Sequence, residues 1–344
     1  MARSTIRDVA AQAGVSVATV SRVLGGNYPV AARTRAKVLR AIEDLDFVAN
    51  AHARALSGST SKLVAVVTTS MTAPFYADIA AGVESYSSAE GRLFMYVSTD
   101  GDTARELEVL GLMREQRAEA VILVGGVAMT GEYRERMARY AAGLRDVGGK
   151  LVLVGRPGLG PDVPAIVVEY ENERGAHAGT CHLISRGHRR ILLLGGIVGQ
   201  TTGDGRIAGH LRALSDNGIA SDESLLMPGR FERLFAYEAV RARLASGPPD
   251  FTAIFALDDI LAASAMRACR DAGLRVPEDV SIMGYNDDLI AQDLYPALTT
   301  VHIPVGELGR TAARLALRPG STGNEHVMLG THVVVRDSVV PPGS

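Results

Sequence analysis

The sequence predicts a small all-α helix-turn-helix unit followed by an α/β body of two doubly wound lobes, each built on a parallel sheet. Three observations predict it. Two short amphipathic segments within residues 5–24 are separated only by Gly14-Val15-Ser16, and a third follows at 33–47. From residue 62 onward, short apolar runs alternate with helical patterns, the signature of strands and helices laid down in turn. The divisions expected are 1–47 for the helical unit, 48–61 for a connecting segment and 62–340 for the body.

Composition narrows the class. The chain has 344 residues, 47% of them hydrophobic and 22% charged, as in a globular protein of two to three folding units. No apolar run approaches the roughly 20 residues of a membrane span. Met1-Ala2-Arg3-Ser4 leads into the first helical pattern without the apolar region of a signal peptide, so a cytoplasmic setting with no membrane partner is expected. Cys181 and Cys269 are too few for a disulfide framework, and no His/Cys spacing suggests a metal site; neither metal nor cofactor is expected. Residues 1–60 carry eight Lys/Arg against four Asp/Glu, whereas the remainder carries 28 against 34. A basic leading segment on an acidic body suits an end that faces nucleic acid, although four charges also fit a solvated surface.

In the opening stretch, Thr5 followed by Asp8 reads as a helix cap with an acidic first turn. Ile6, Val9, Ala10 and Ala13 recur on one face. Gly14 suits the left-handed residue that ends a helix, Ser16 can cap the next, and Val15 with Val20 has the spacing of a hydrophobic staple. In the second helix Val20, Val23 and Leu24 share the buried side while Ala18, Ser21 and Arg22 point away. Such a pair is either an ordinary helical hairpin or a unit whose second helix enters a DNA major groove. The third segment favours the second reading, because Val38, Ile42 and Leu45 can close a small independent core.

"TIRDVAAQAGVSVATVSRVL" resembles, nearly residue for residue, the N-terminal signature of the LacI/GalR family of bacterial transcription regulators. The similarity continues through "TRAKVLRAIEDLDFVANAHARALSG" and, less tightly, to "VVVRDSVVPP". The resemblance implies a DNA-binding unit joined to a periplasmic-binding-protein-like effector domain. It implies DNA contacts from Thr5, Ser16, Val17, Ala18, Thr19, Ser21 and Arg22. Residues 46–61 read by composition as a flexible linker or a short helix capped by Asn50 and kept slim by Ala53. In the family this segment folds on DNA beside its copy from a second subunit, and the resemblance places Leu56 as a minor-groove wedge, with Asn50 and Ala53 beside it. Two departures stand out: Ala49 where the family often has proline, and Ala31 where a serine cap is common.

In the body, "LVAVVTT", "RLFMYVS", "AVILVGG" and "KLVLVGR" read as one series of buried parallel strands. "AIVVE", "RRILLLGG", "TAIFALD" and "VSIMGYND" read as a second, with the break near residues 156–164. Ligands of open parallel sheets bind beyond the carboxyl ends of the strands. There lie Ser70 and Pro74-Phe75-Tyr76, then Asp100, Glu171, Asp258, Asn286 and Asp287, with Arg206 in the loop entering a helix. Carboxylates, amides, an arginine and aromatics suit a small polyhydroxylated or heterocyclic ligand. Any single Asp or Asn there also fits a turn or cap. The resemblance adds that Arg206, Asp258 and Asn286 match effector-holding positions, and Phe231 a position that lays an aromatic over the ligand. Asp258 stands where the family commonly has Asn, and Glu171 where it has Asp; the chain has no tryptophan.

No enzyme signature is convincing. Residues 203–208, "GDGRIA", fit a dinucleotide fingerprint but lie several residues past their strand. No nucleophile elbow, Walker loop or zincin helix occurs, and no catalytic residue is assigned. The expected function is a ligand-responsive repressor acting as a homodimer on near-palindromic double-stranded DNA. A sugar or sugar derivative is the favoured effector; a nucleobase, a nucleoside or a protein partner is the alternative.

Overall fold

A computed structural model describes residues 4–25, 28–47, 61–321 and 323–343. The first three helices are α1 (Ile6–Ala13), α2 (Val17–Gly25) and α3 (Ala32–Asp44). They close around Val9, Ala10, Ala13, Val20, Val38 and Ala41, with Ile42 and Leu45 at the margin of that core. Gly14 ends α1 at φ 67°, the left-handed conformation in which a Cβ is costly. Asn50, Ala53 and Leu56 fall outside the described residues, as does Ala49.

The first lobe opens with β1 (Ser61–Thr68), α4 (Pro74–Ala89), β2 (Leu93–Ser98), α5 (Thr103–Glu115), β3 (Ala118–Val124), α6 (Gly131–Asp146), β4 (Lys150–Val154) and β5 (Ala165–Tyr170). The second comprises α7 (Asn172–Ser185), β6 (Ile191–Leu194), α8 (Thr201–Asp216), β7 (Leu226–Met227), α9 (Arg233–Ala245), β8 (Ala253–Ala256), α10 (Asp259–Asp271), β9 (Ser281–Met283), α11 (Ile290–Asp293) and β10 (Thr300–His302). The chain then returns to the first lobe as α12 (Val305–Leu317) and β11 (His326–Leu329), and ends beside β10 as β12 (His332–Val334).

Both main sheets are parallel, in orders β11-β5-β4-β3-β1-β2 and β7-β6-β8-β9. Successive β1 side chains serve opposite faces. Leu63, Ala65 and Val67 join the core under α5 and α6, whereas Val64 and Val66 pack with Ile79 of α4 and Leu308 of α12. Helices α4 and α12 cross closely, since a Cβ on Gly309 would stand 2.2 Å from the Ile79 carbonyl.

One expectation is corrected. "AIVVE" does not open the second sheet; β5 lies between β4 and β11 in the first. The change of lobe comes after Tyr170, not at residues 156–164. An apolar run shows that a strand is buried but not which partner buries it, and parallel neighbours are distant in sequence. Among the described residues no helix is long and apolar enough to cross a membrane.

Candidate functional site

Local chemistry shapes the exposed face of the three-helix unit. Asp8 Oδ2 accepts from both the Thr5 hydroxyl and the Thr5 amide at 2.7 Å, and this bonding holds the Asp8 carboxyl below its ordinary range. Ser16 Oγ accepts from the Thr19 amide at 3.2 Å and caps α2, with Thr19 Oγ1 2.9 Å away. Thr5, Ser16, Val17, Ala18, Ser21 and Arg22 are exposed, Thr19 is half-buried, and Val20 points inward. Helix α2 thus presents small, polar and basic side chains from one rigid face. Tyr28, absent from the sequence reading, is 68% exposed with the Arg22 guanidinium 5.9 Å from its ring centre. Ala31 stands at the start of α3 and gives no side-chain cap.

The two lobes enclose a cavity of about 880 Å³ at the carboxyl ends of their strands. Of the sequence-predicted residues it brings together Ser70, Phe75, Asp100, Arg206, Phe231, Asp258 and Asn286. Ser70 Oγ accepts from the Thr72 and Ala73 amides at 3.2 and 3.3 Å, ordering the entry to α4. Asp100 sits in a left-handed turn at φ 53° and accepts from Ser98. Phe75 is largely core, edge-on to Tyr76 and Tyr170 at 5.2 and 5.9 Å.

Arg206 organises the second-lobe wall. It lies inside α8 rather than in the preceding loop and is 3% exposed. Its Nε donates to Asn172 Oδ1 at 2.9 Å, Nη1 to the Leu257 carbonyl, and Nη2 to Tyr170 Oη and Asn286 Oδ1 at 3.3 and 3.2 Å. The guanidinium stands 3.7 Å from the Tyr285 ring centre and 5.9 Å from that of Phe231. Asn286 passes the chain on, donating to Asp258 Oδ2 at 2.9 Å. Asp258 Oδ1 accepts from the Ile260 amide at 2.8 Å, so this aspartate caps α10 and faces the cavity at once. Asn286 has φ 111°, a strained backbone held by those side-chain bonds and by its amide on the Val301 carbonyl at 2.8 Å.

Two expected residues do not line the cavity. Glu171 precedes α7 and pairs with Arg174 at 2.6 Å. Asp287 points the other way from Asn286 and Asp288, and holds Arg336 at 2.7 Å and His302 at 3.0 Å beside the lobe crossings. Glu171 follows Tyr170, the last strand residue, and faces away from it as alternation along a strand requires, whereas the positive φ of Asn286 and Asp287 turns the Asp287 carboxyl away from the cavity. Tyr170, Thr202 and Asp288, which the sequence pattern does not single out, also line the cavity. Tyr170 is the last residue of its strand, and the strand-end rule could have found it.

The lobes meet at one rim, where the Thr201 amide donates to the Val127 carbonyl at 3.1 Å and the Val127 amide to Thr201 Oγ1 at 3.2 Å. A Cβ on Gly126 would lie 2.6 Å from Thr202 Oγ1, so that rim requires glycine.

Burial raises the carboxyls of Asp258 and Asp259, and pushes that of Asp288 up to about 7. The folded chain therefore holds these protons more tightly than the unfolded chain does. The stability this contributes is complete below about pH 4 and is lost as pH rises through about 7. The melting temperature is expected to fall between pH 5 and pH 8, and Asp288→Asn to flatten the fall. Parallel melting curves for the two proteins would discount Asp288 as a buried proton site.

These features agree with comparisons to known proteins. Residues 5–50 match the family model for bacterial regulatory proteins of the lacI family, and residues 180–339 match that for a periplasmic binding protein-like domain. The transcriptional regulator DegA of Bacillus subtilis (strain 168) is 32% identical over 345 residues, covering 98% of this chain and 99% of DegA. The structure of a transcriptional regulator CelR–cellobiose complex aligns with a TM-score of 0.69 at 32% identity, over 98% of this chain and 100% of that one. A lac repressor dimer bound to operator and an anti-inducer aligns at 0.80 and 26% identity, again over 98% and 100%. A helix-turn-helix unit and a two-lobed α/β body, matched along nearly their whole length by such regulators, lead to one conclusion: this chain belongs to the lacI family of bacterial transcription regulators.

Proposed function

We propose that the protein is a repressor that binds a near-palindromic operator as a homodimer and senses a sugar or sugar derivative between its lobes. The observation that carries this reading is the hydrogen-bonded chain Arg206–Asn286–Asp258 lining a ligand-sized cavity, in a chain that also exposes a basic helix face at Ala18, Ser21 and Arg22. Fixed guanidinium, amide and carboxylate groups match neighbouring hydroxyls, and Phe231 offers an aromatic face. The cellobiose complex of the related regulator supports a saccharide.

The dimer reading draws support from apolar side chains left in water. Leu234, Leu289 and Tyr295 of the second lobe are 64%, 77% and 97% exposed, and Leu93 on the edge strand β2 of the first is 67% exposed. The related lac repressor is a dimer on its operator. Two-fold symmetry in the protein would be mirrored in the operator half-sites. Residues 1–47 would read DNA, 48–61 would join the halves, with Leu56 wedged in the minor groove, and 62–340 would sense. Effector would act by binding one arrangement of the lobes more tightly than another; a coupling of about 1–3 kcal/mol gives a 5–150-fold change in operator affinity.

The test is fluorescence anisotropy on DNA from upstream of the protein's own coding sequence, at fixed salt, with sugars, sugar phosphates and nucleosides. A response to a saccharide supports the reading; a response to nucleosides alone replaces the effector class. Arg22→Ala is expected to weaken operator binding about 5–150-fold, the loss of about 1–3 kcal/mol from a base contact, with melting of the body unchanged. Equal operator affinity in wild type and variant would remove Arg22 from the interface.

A further inference from the structure

The polar side chains on the second-lobe wall are mostly satisfied from within the protein. Arg206 is bonded to Asn172, Leu257, Tyr170 and Asn286, and Asp258 accepts from Asn286 and the Ile260 amide. Asp288 differs. It lines the cavity and is 4% exposed, and among the described residues its Oδ2, like Thr202 Oγ1 on the same lobe, has no hydrogen-bond partner. Its backbone amide donates to Asp259 Oδ2 at 2.7 Å, which fixes where the carboxyl stands while leaving that oxygen unused. A buried carboxylate oxygen without a donor is costly, and a cation is the partner that relieves it most.

Three carboxyls add to its charge. Asp258 shares the wall, Asp259 stands behind it, and Asp78, exposed on α4 of the other lobe and outside the cavity lining, adds its charge from farther off. Arg206 opposes them by its charge and the Asn286 amide by hydrogen bonding to Asp288, while Arg206 also donates to Asn286 and Asn286 to Asp258; Arg230 and Arg233 line the same cavity. Burial first, and then Asp258 and Asp78, make the Asp288 proton hard to remove in the empty cleft.

We propose that Asp288, with Asp258 beside it on the cavity wall, forms a cation subsite that takes a protonated amino group of the effector. The effector is then an amine-bearing polyhydroxylated molecule, an inference that rests on the effector-cleft reading above. An ammonium group is compact and carries three donors, enough to supply Asp288 Oδ2 and a second carboxylate. Binding the cation requires Asp288 to lose its proton, so affinity should rise with pH up to about 7.

The experiment compares three β-1,4-linked disaccharides on the full chain: the diamine of chitosan, its N,N′-diacetyl form and cellobiose. Titration calorimetry and melting temperature are read at pH 7 and pH 5. The diamine is expected to bind at least tenfold more tightly than both neutral sugars at pH 7. That preference should shrink about tenfold or more at pH 5 and vanish in Asp288→Asn, with Asp78→Asn giving a smaller loss. At pH 5 the protonated wild-type carboxyl and the amide are near equivalents, so matching melting temperatures there show that the variant is folded. The proposal is overturned if the diamine binds no better than the neutral sugars, including the case where none binds, or if Asp288→Asn keeps the preference. Operator anisotropy in the same samples reports separately on the regulator. A response to cellobiose without a diamine preference keeps the effector cleft and discards the subsite. Diamine binding at Asp288 with no change at the operator keeps the subsite and discards the effector role.

Discussion

Arg206→Ala is expected to weaken effector binding by about 10–150-fold while leaving effector-free operator affinity unchanged. Four of its five N–H donors are engaged within the protein, which leaves one for a ligand, and a hydrogen bond from a charged donor is worth about 1.5–3 kcal/mol. The damage is wider than that one bond. Arg206 opposes the burial that raises Asp258, and it orients Asn286 through Nη2. Without it Asp258 would hold its proton more firmly and Asn286 would lose the partner that helps to fix its strained backbone. Arg206→Lys should rescue little, because an ammonium cannot span Asn172, Leu257 and Asn286 at once or stack as a plane over Tyr285. Calorimetry with the effector found in the anisotropy screen checks this, and near-wild-type affinity in Arg206→Ala would move the ligand elsewhere in the cleft.

Arg156→Met is expected to destabilise the first lobe by about 3–5 kcal/mol, the usual result of removing one partner of a buried ion pair. Arg156 is 2% exposed. It donates to the Gly125 and Val124 carbonyls at 2.7 and 3.1 Å, to Tyr133 Oη at 2.8 Å and to Glu106 Oε2 at 3.3 Å. Tyr133 Oη in turn donates to Glu106 Oε1 at 3.1 Å. Burial accordingly pushes the Tyr133 hydroxyl up to about 12 and keeps it a neutral donor. The arginine thus ties α5 and α6 to the ends of β3 and β4, where Gly125 and Gly126 line the cavity. Its loss would leave Glu106 buried without its cationic partner and take one donor from each of the Gly125 and Val124 carbonyls. Urea denaturation measures the shift, and Glu106→Gln in the same chain should recover part of it. A midpoint unmoved by Arg156→Met would show that the pair contributes no net stability.

The helix-turn-helix unit was legible because its information is local. Cap, left-handed glycine, second cap and buried valines all lie within 20 consecutive residues, at spacings that helical geometry fixes. The cleft was legible in outline for a similar reason. Ser70, Asp100, Asp258 and Asn286 follow apolar strands directly, and the ends of parallel strands share one edge of a sheet. Asp287 and Asp288 show where that reasoning stopped. Strand-end position names a short stretch, but the left-handed conformations of Asn286 and Asp287, at φ 111° and 63°, decide which of its side chains enters the cavity. Those angles are held by contacts with Val301, Arg206 and Asp258, none of them near in sequence.

The sequence by itself determined the three-helix unit, the parallel α/β character of the body, the family resemblance and most of the residues at the strand ends. These rest on periodicity, capping and strand-to-helix order, which act over a few residues at a time. Only the tertiary structure decided that β5 belongs to the first sheet and that α12 and β11 return to complete that lobe. It also decided that Glu171 and Asp287 pair away from the cleft, while Asp288 turns a buried, unpartnered oxygen toward it. Those outcomes depend on which distant surfaces bury one another and which polar atoms remain without a partner. Local pattern is blind to both, because each is settled only when the whole chain has packed.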